Sequence, residues 1–126
     1  MLSRNAGPVT GGFSVAVDEA LHDAKRLLLN QLKASAEAAC QPAGRQLLAQ
    51  AWPPHSIRGG AQIWWTGKAA SAERAAAVNA QLLSLLNFGD THLPSLGHFT
   101  AAILPSLMAQ AEVGGNAGRE MLEALT

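Results

Sequence analysis

SAERAAAVNAQLLSLL, residues 71–86, is the stretch from which the fold is read. Ser71 carries a short hydroxyl that can accept from a first-turn amide, and Glu73 follows where the positive end of the helix dipole favours an acid. The rest is built mainly from strong helix formers, so the stretch predicts a helix running to about Leu86. On its amino-terminal side, HSIRGGAQIWWTGK (55–68) breaks helical periodicity. Its glycines and the cluster Ile63, Trp64 and Trp65 predict an extended loop or one short strand packed on helices.

Further toward the amino terminus, Val17, Leu21, Ala24, Leu28 and Leu32 recur at helical spacing, with Asp18, Glu19, Lys25, Arg26 and Lys33 mostly elsewhere. This predicts an amphipathic helix from Ser14 to about Ala39. Gln41 and Pro42 interrupt it, and a short second helix near Ala43–Ala51 ends before Trp52-Pro53-Pro54, where proline cannot continue the ladder. Residues 1–13 hold three glycines and a proline without periodicity, and are expected to form a flexible tail.

On the carboxyl-terminal side, Asn87–Gly97 contains two glycines and a proline and reads as a loop. Thr100 starts a fourth helix containing Ile103, Leu107, Met108 and Ala111, which Gly114-Gly115 ends. Pro105 kinks that helix unless it lies in the first turn. Asn116 is placed to cap a last helix, AGREMLEAL. The expected fold is therefore all-α, a bundle of about five helices. Residues 14–126 form a single helical domain after the tail.

Composition narrows the function classes. Nine basic and nine acidic residues cancel without forming blocks, so charge gives no reason to expect nucleic acid or an anionic membrane surface as partner. No apolar run approaches the roughly 18 residues of a membrane span, and glycine and proline break the first residues before any signal-peptide core. A cytoplasmic protein is expected. Cys40 is the single cysteine, so neither an internal disulfide nor a cysteine-based metal site is expected, and its ordinary use is as a small buried helix residue.

The segment SAERAAAVNAQLLSLLNFGDTHLPSLGHFTAAILPSLMAQAEVGGNAGREMLEAL resembles the 2-methylcitrate dehydratase (MmgE/PrpD) family of lyases. The likeness rests on an alanine-rich helix with an Asn, a loop similar to DFDDTH, and a His before a proline-containing helix. A Gly-rich turn and a following helix complete it, and AKRLLLNQL is similar to the family's first helix. The resemblance implies a largely helical domain that supplies part of an active site for eliminating water from, decarboxylating or epimerising small polycarboxylates. It also implies no obligatory metal or other cofactor, and a homodimer.

Elimination beside a carboxylate needs a base for a carbon-bound proton, an acid for the leaving oxygen, and donors or cations for the carboxylates. By the resemblance, Asp90, Thr91 and His98 fall on active-site positions. Thr91 is expected to be a hydrogen-bond donor, His98 an acid/base or carboxylate ligand, and Asp90 the group that orients the histidine or the loop. Asn87 and His92, on the same loop, are expected to contact substrate.

The departures from the pattern are specific. Where the family usually writes Asp-Phe-Asp-Asp, this chain has Asn87, Phe88, Gly89 and Asp90, so two carboxylates are missing. Ser84 stands where a histidine is common, and Phe99 replaces the usual proline after the motif histidine. The family's other catalytic histidine and lysine have no counterpart here. A truncated or divergent member, inactive alone, is therefore expected.

The alternative is a non-enzymatic helical module whose uncovered apolar faces drive self-association or partner binding. A phosphate loop at GGAQIWWTGK is rejected, because six residues separate Gly60 from Gly67 and Ala69 follows Lys68 where Ser or Thr is required. A metal site from His55, His92 and His98 is rejected on spacing, and Trp64-Trp65 are expected to pack on helices.

Overall fold

The computed structural model of the protein describes residues 10–51, 56–87, 91, 93–116 and 118–126. Five helices and a two-stranded ribbon follow one another: α1 (Thr10–Cys40), α2 (Pro42–Gln50), β1 (Ala61–Ile63), β2 (Lys68–Ala70), α3 (Ala72–Ser84), α4 (Thr100–Gly114) and α5 (Gly118–Leu125). The expected helical bundle is present. None of the helices is long and apolar enough to cross a membrane. The Trp52-Pro53-Pro54 break lies outside the described residues.

α1 begins at Thr10 rather than Ser14, so Thr10–Phe13 belong to the helix and not to the tail expected over 1–13. Once a helix is nucleated, adding a residue is inexpensive, and Gly11-Gly12 is too weak a breaker to stop that growth. Among the described residues, the buried side chains of α1 are Ala24 near its middle and Gln31, Ala34, Ser35 and Ala38 in its second half. Val17, expected on the apolar face, is exposed.

Cys40, expected to be buried, is also exposed, at the carboxyl-terminal end of α1. The chain turns at Gln41 and α2 begins at Pro42, which leaves this last position at the surface. α1 and α2 meet through backbone. A Cβ on Gly44 would lie 1.9 Å from the Ala38 carbonyl oxygen, so no residue but glycine fits without moving a helix.

α3 is the hub, touching α1, α2, α4 and both strands. Its buried residues Ala75, Val78, Asn79, Leu82 and Leu83 repeat at helical spacing and form one face. The cap expected at Ser71 is made: its hydroxyl accepts from the Arg74 N–H at 3.4 Å. The Glu73 carboxyl is held below the usual glutamate range by its own backbone N–H and then by the Ser71 hydroxyl. Arg74 donates twice, through Nε at 3.2 Å and Nη2 at 3.1 Å, to the Ala51 carbonyl, closing the end of α2.

Residues 61–70 correct the expectation of an extended loop or a single strand. They form an antiparallel hairpin, with Ala61 opposite Ala70, Gln62 opposite Ala69 and Ile63 opposite Lys68. Two left-handed residues in its turn, Trp65 (φ 66) and Gly67 (φ 68), reverse the chain. Alanine and lysine in β2 are poor strand formers, so the pairing comes from tertiary support rather than propensity.

That support is visible at both edges of the ribbon. On the β1 side, Asn79 Oδ1 accepts from the Trp64 N–H at 3.0 Å while Nδ2 donates to the Gln62 carbonyl at 2.9 Å. The Gln62 N–H donates to the Glu112 carboxylate on α4. On the β2 side, the Ala69 N–H donates to Ser56 Oγ at 3.0 Å, and the Ala69 carbonyl accepts from the Ile57 N–H at 3.0 Å.

α4 continues through the buried Pro105, which sits in its second turn, and ends at Gly115 (φ 68). α5 rests on α4 and α1. The Asn116 amide ahead of α5 donates to Glu120 at 3.2 Å.

Two substitutions test this packing. Gly44→Ala usually gains up to about 1 kcal/mol inside a helix, but here overpacking is expected to reverse the sign and destabilise by about 2 kcal/mol, read from urea unfolding. Asn79→Leu leaves the Trp64 N–H and the Gln62 carbonyl without partners. A loss of about 3 kcal/mol is expected, together with faster amide exchange at Trp64.

Candidate functional site

The loop expected to carry the chemistry lies between α3 and α4. Asn87, at φ 52, takes the chain out of the last turns of α3. It is exposed, and it is not among the residues lining the cavity described below. Asp90 and His92 lie outside the described residues. Thr91 and His98 are both exposed, and the structure brings them together: Thr91 Oγ1 is 3.3 Å from His98 Nδ1. The hydroxyl can donate to an unprotonated Nδ1 or accept from a protonated one, so it orients the ring in either state.

His98 is set by what flanks it. Leu96 has φ 53, a left-handed conformation disfavoured for a branched side chain. The Phe99 ring lies over Gly97, where a Cβ would meet it at 2.7 Å. The Phe99 backbone, at φ −72 and ψ −34, is already helical, and its carbonyl accepts from the N–H groups of Ala102 and Ile103. α4 therefore starts without the proline usual in the resemblance.

His98 opens on a cavity of about 470 Å³ formed by Leu47 of α2, Ala80, Gln81 and Ser84 of α3, and Ala101 and Ala102 of α4. Among the described residues, His98 is the one ionisable side chain in that lining. The first turn of α4 borders the cavity, and its dipole places partial positive charge there, which suits a carboxylate. One imidazole with an orienting hydroxyl can move a proton at one position. Among the described residues, which leave out Asp90 and His92, the lining holds no second acid/base group and no cation for carboxylates.

Ser84 and Gln81 were not among the site residues expected from the sequence, yet both face the His98 cavity. The signal was present in part, since Ser84 stands where a histidine is common in the resemblance. The departure thus falls inside the cavity, where the Ser84 hydroxyl donates to the Ala80 carbonyl at 2.9 Å. Leu47 had no sequence signal at all, because α2 joins the cavity only through tertiary packing.

Comparison with curated proteins and with solved structures gives no match. The model of the MmgE/PrpD N-terminal domain matches residues 13–126, nearly the whole chain, on a fold whose α3–α4 loop holds the motif histidine at a cavity. The chain belongs to the MmgE/PrpD family.

Proposed function

We propose that this chain is the helical part of a lyase site for small polycarboxylates such as 2-methylcitrate, and that it does not turn them over by itself. The observation that carries this reading is the Thr91–His98 pair at the edge of a cavity in which, among the described residues, His98 is the one ionisable group. Water elimination next to a carboxylate needs both a base and an acid, and cations to hold the substrate. His98 supplies one of these, and the α4 dipole supplies a weak attraction for a carboxylate. On this reading the remaining groups come from outside the described lining of the cavity.

The test is an assay of the chain alone with 2-methylcitrate and cis-aconitate, following absorbance of the unsaturated product and release of carbon dioxide. No turnover is expected above the uncatalysed rate. Turnover that disappears in His98→Asn would overturn the proposal of inactivity.

A second reading, a module that self-associates, is favoured by the apolar surface around the same loop. Leu93 is 78% exposed and Leu96 74%, with Phe99 and Ile103 also uncovered. α4 is apolar on nearly all sides, the composition of a helix covered all round, yet Ile103 and Val113 face solvent. A dimer is expected by light scattering at micromolar concentration, and an unchanging monomer over that range counts against this reading.

A further inference from the structure

A larger cavity lies away from His98. It occupies about 740 Å³ between the last turns of α1, one face of α2 and the turn of the hairpin, within the size range of small-molecule sites. Ala36, Ala39, Leu48 and Ala49 make its walls apolar. The Thr66 hydroxyl on its rim is engaged inside the turn, donating to the Ile63 carbonyl at 2.7 Å and accepting from the Lys68 N–H at 3.1 Å. What remains for polar recognition is Arg45, and among the described residues no carboxylate lines the cavity.

Arg26, Lys33 and Arg119 each have a carboxylate within 4 Å, and Arg74 caps α2. Arg45 has no acid partner among the described residues, as is also true of Lys25 and Arg58, but of these three it is the one that lines a cavity of this size.

The opposite wall is Trp65. Its backbone sits at φ 66, a conformation that suits glycine and not an indole, and its side chain is 53% exposed. Its neighbour Trp64 is buried and packs as an ordinary core residue. Trp65 is nonetheless held in one place: Nε1 donates at 3.1 Å to Ser35 Oγ, and that fully buried hydroxyl donates to the Leu32 carbonyl at 2.7 Å. Strain and exposure are thus both tolerated to keep a fixed indole at the cavity. Core packing does not explain it.

We propose that this cavity is a second binding site, separate from the His98 cavity, for a small anion with a flat apolar body, an aromatic monocarboxylate. Arg45 pairs with the carboxylate through charge-assisted hydrogen bonds. The Trp65 indole stacks on the ring, and the alanine walls take its edge. Cys40, the chain's single cysteine, also lines the cavity and reports on its occupancy.

The probes are 1-naphthoate and its neutral counterpart 1-naphthalenemethanol, titrated into the full chain by calorimetry at low salt. Saturable one-to-one binding of naphthoate is expected, with the alcohol weaker by about tenfold, a difference typical of one charge-assisted contact. Arg45→Gln should bring naphthoate down to the level of the alcohol and leave the alcohol unchanged. Trp65→Gly relieves the left-handed backbone and should weaken both probes.

Bound naphthoate should also slow modification of Cys40 by an aromatic disulfide reagent in the wild type. The same concentration should fail to protect Arg45→Gln. Equal binding of acid and alcohol, naphthoate affinity unchanged in Arg45→Gln, or no saturable heat would overturn the proposal. Arg45 is exposed and unpaired among the described residues, so its variant is expected to fold and to decide the matter even if Trp65→Gly does not.

Discussion

The buried amide of Asn79 is the contact on which the middle of the structure depends. A two-stranded ribbon of three residues a side has too little pairing to persist alone in water. Asn79 offers an acceptor and a donor at the spacing of a neighbouring strand, and so stands in for one on the outer edge of β1. Glu112 takes the remaining N–H of Gln62 from α4, and Ser56 with Ile57 covers β2. The ribbon is thereby fastened between α3 and α4, and the backbone groups of its edges are satisfied rather than left open to another chain.

Around this contact the core is built mainly from small side chains. Ala38, Ala51, Ala61, Ala70, Ala75 and Ala109 share it with Leu48, Ile63, Val78 and Leu82. Small residues let backbones approach closely, most tightly where Gly44 meets Ala38. Of the large apolar residues in the α3–α4 loop and α4, Leu104 is fully buried while several others are left at the surface. Leu93, Leu96, Phe99 and Ile103 are exposed on the same stretch of chain that carries His98, so apolar surface lies near that histidine in sequence.

The two cavities differ in what they offer. One presents an imidazole oriented by a hydroxyl at the start of a helix, which suits proton transfer at a carboxylate-bearing substrate. The other presents a guanidinium and a fixed indole in alanine walls, which suits binding without chemistry. They lie on different faces of α2: Leu47 contributes to the first, and Leu48 and Ala49 to the second. A nine-residue helix thus separates them.

Local interactions were legible in the amino-acid order. The Ser71 cap, the alanine-rich run of α3, the break at Gln41-Pro42 and the stop at Gly114-Gly115 all act within a few residues, and the structure has each of them. The motif that places Thr91 and His98 on one loop was legible for the same reason. Tertiary structure alone decided the pairing of β1 with β2, because Lys68-Ala69-Ala70 has no strand preference until Ser56 and Ile57 complete its outer edge and Asn79 that of β1. It also decided that Ser84, Gln81 and Leu47 share a cavity with His98, that Cys40 is exposed, and that Trp65 is held away from the core. Each of these depends on atoms brought together from distant parts of the chain, and helical or strand periodicity carries no information about such meetings.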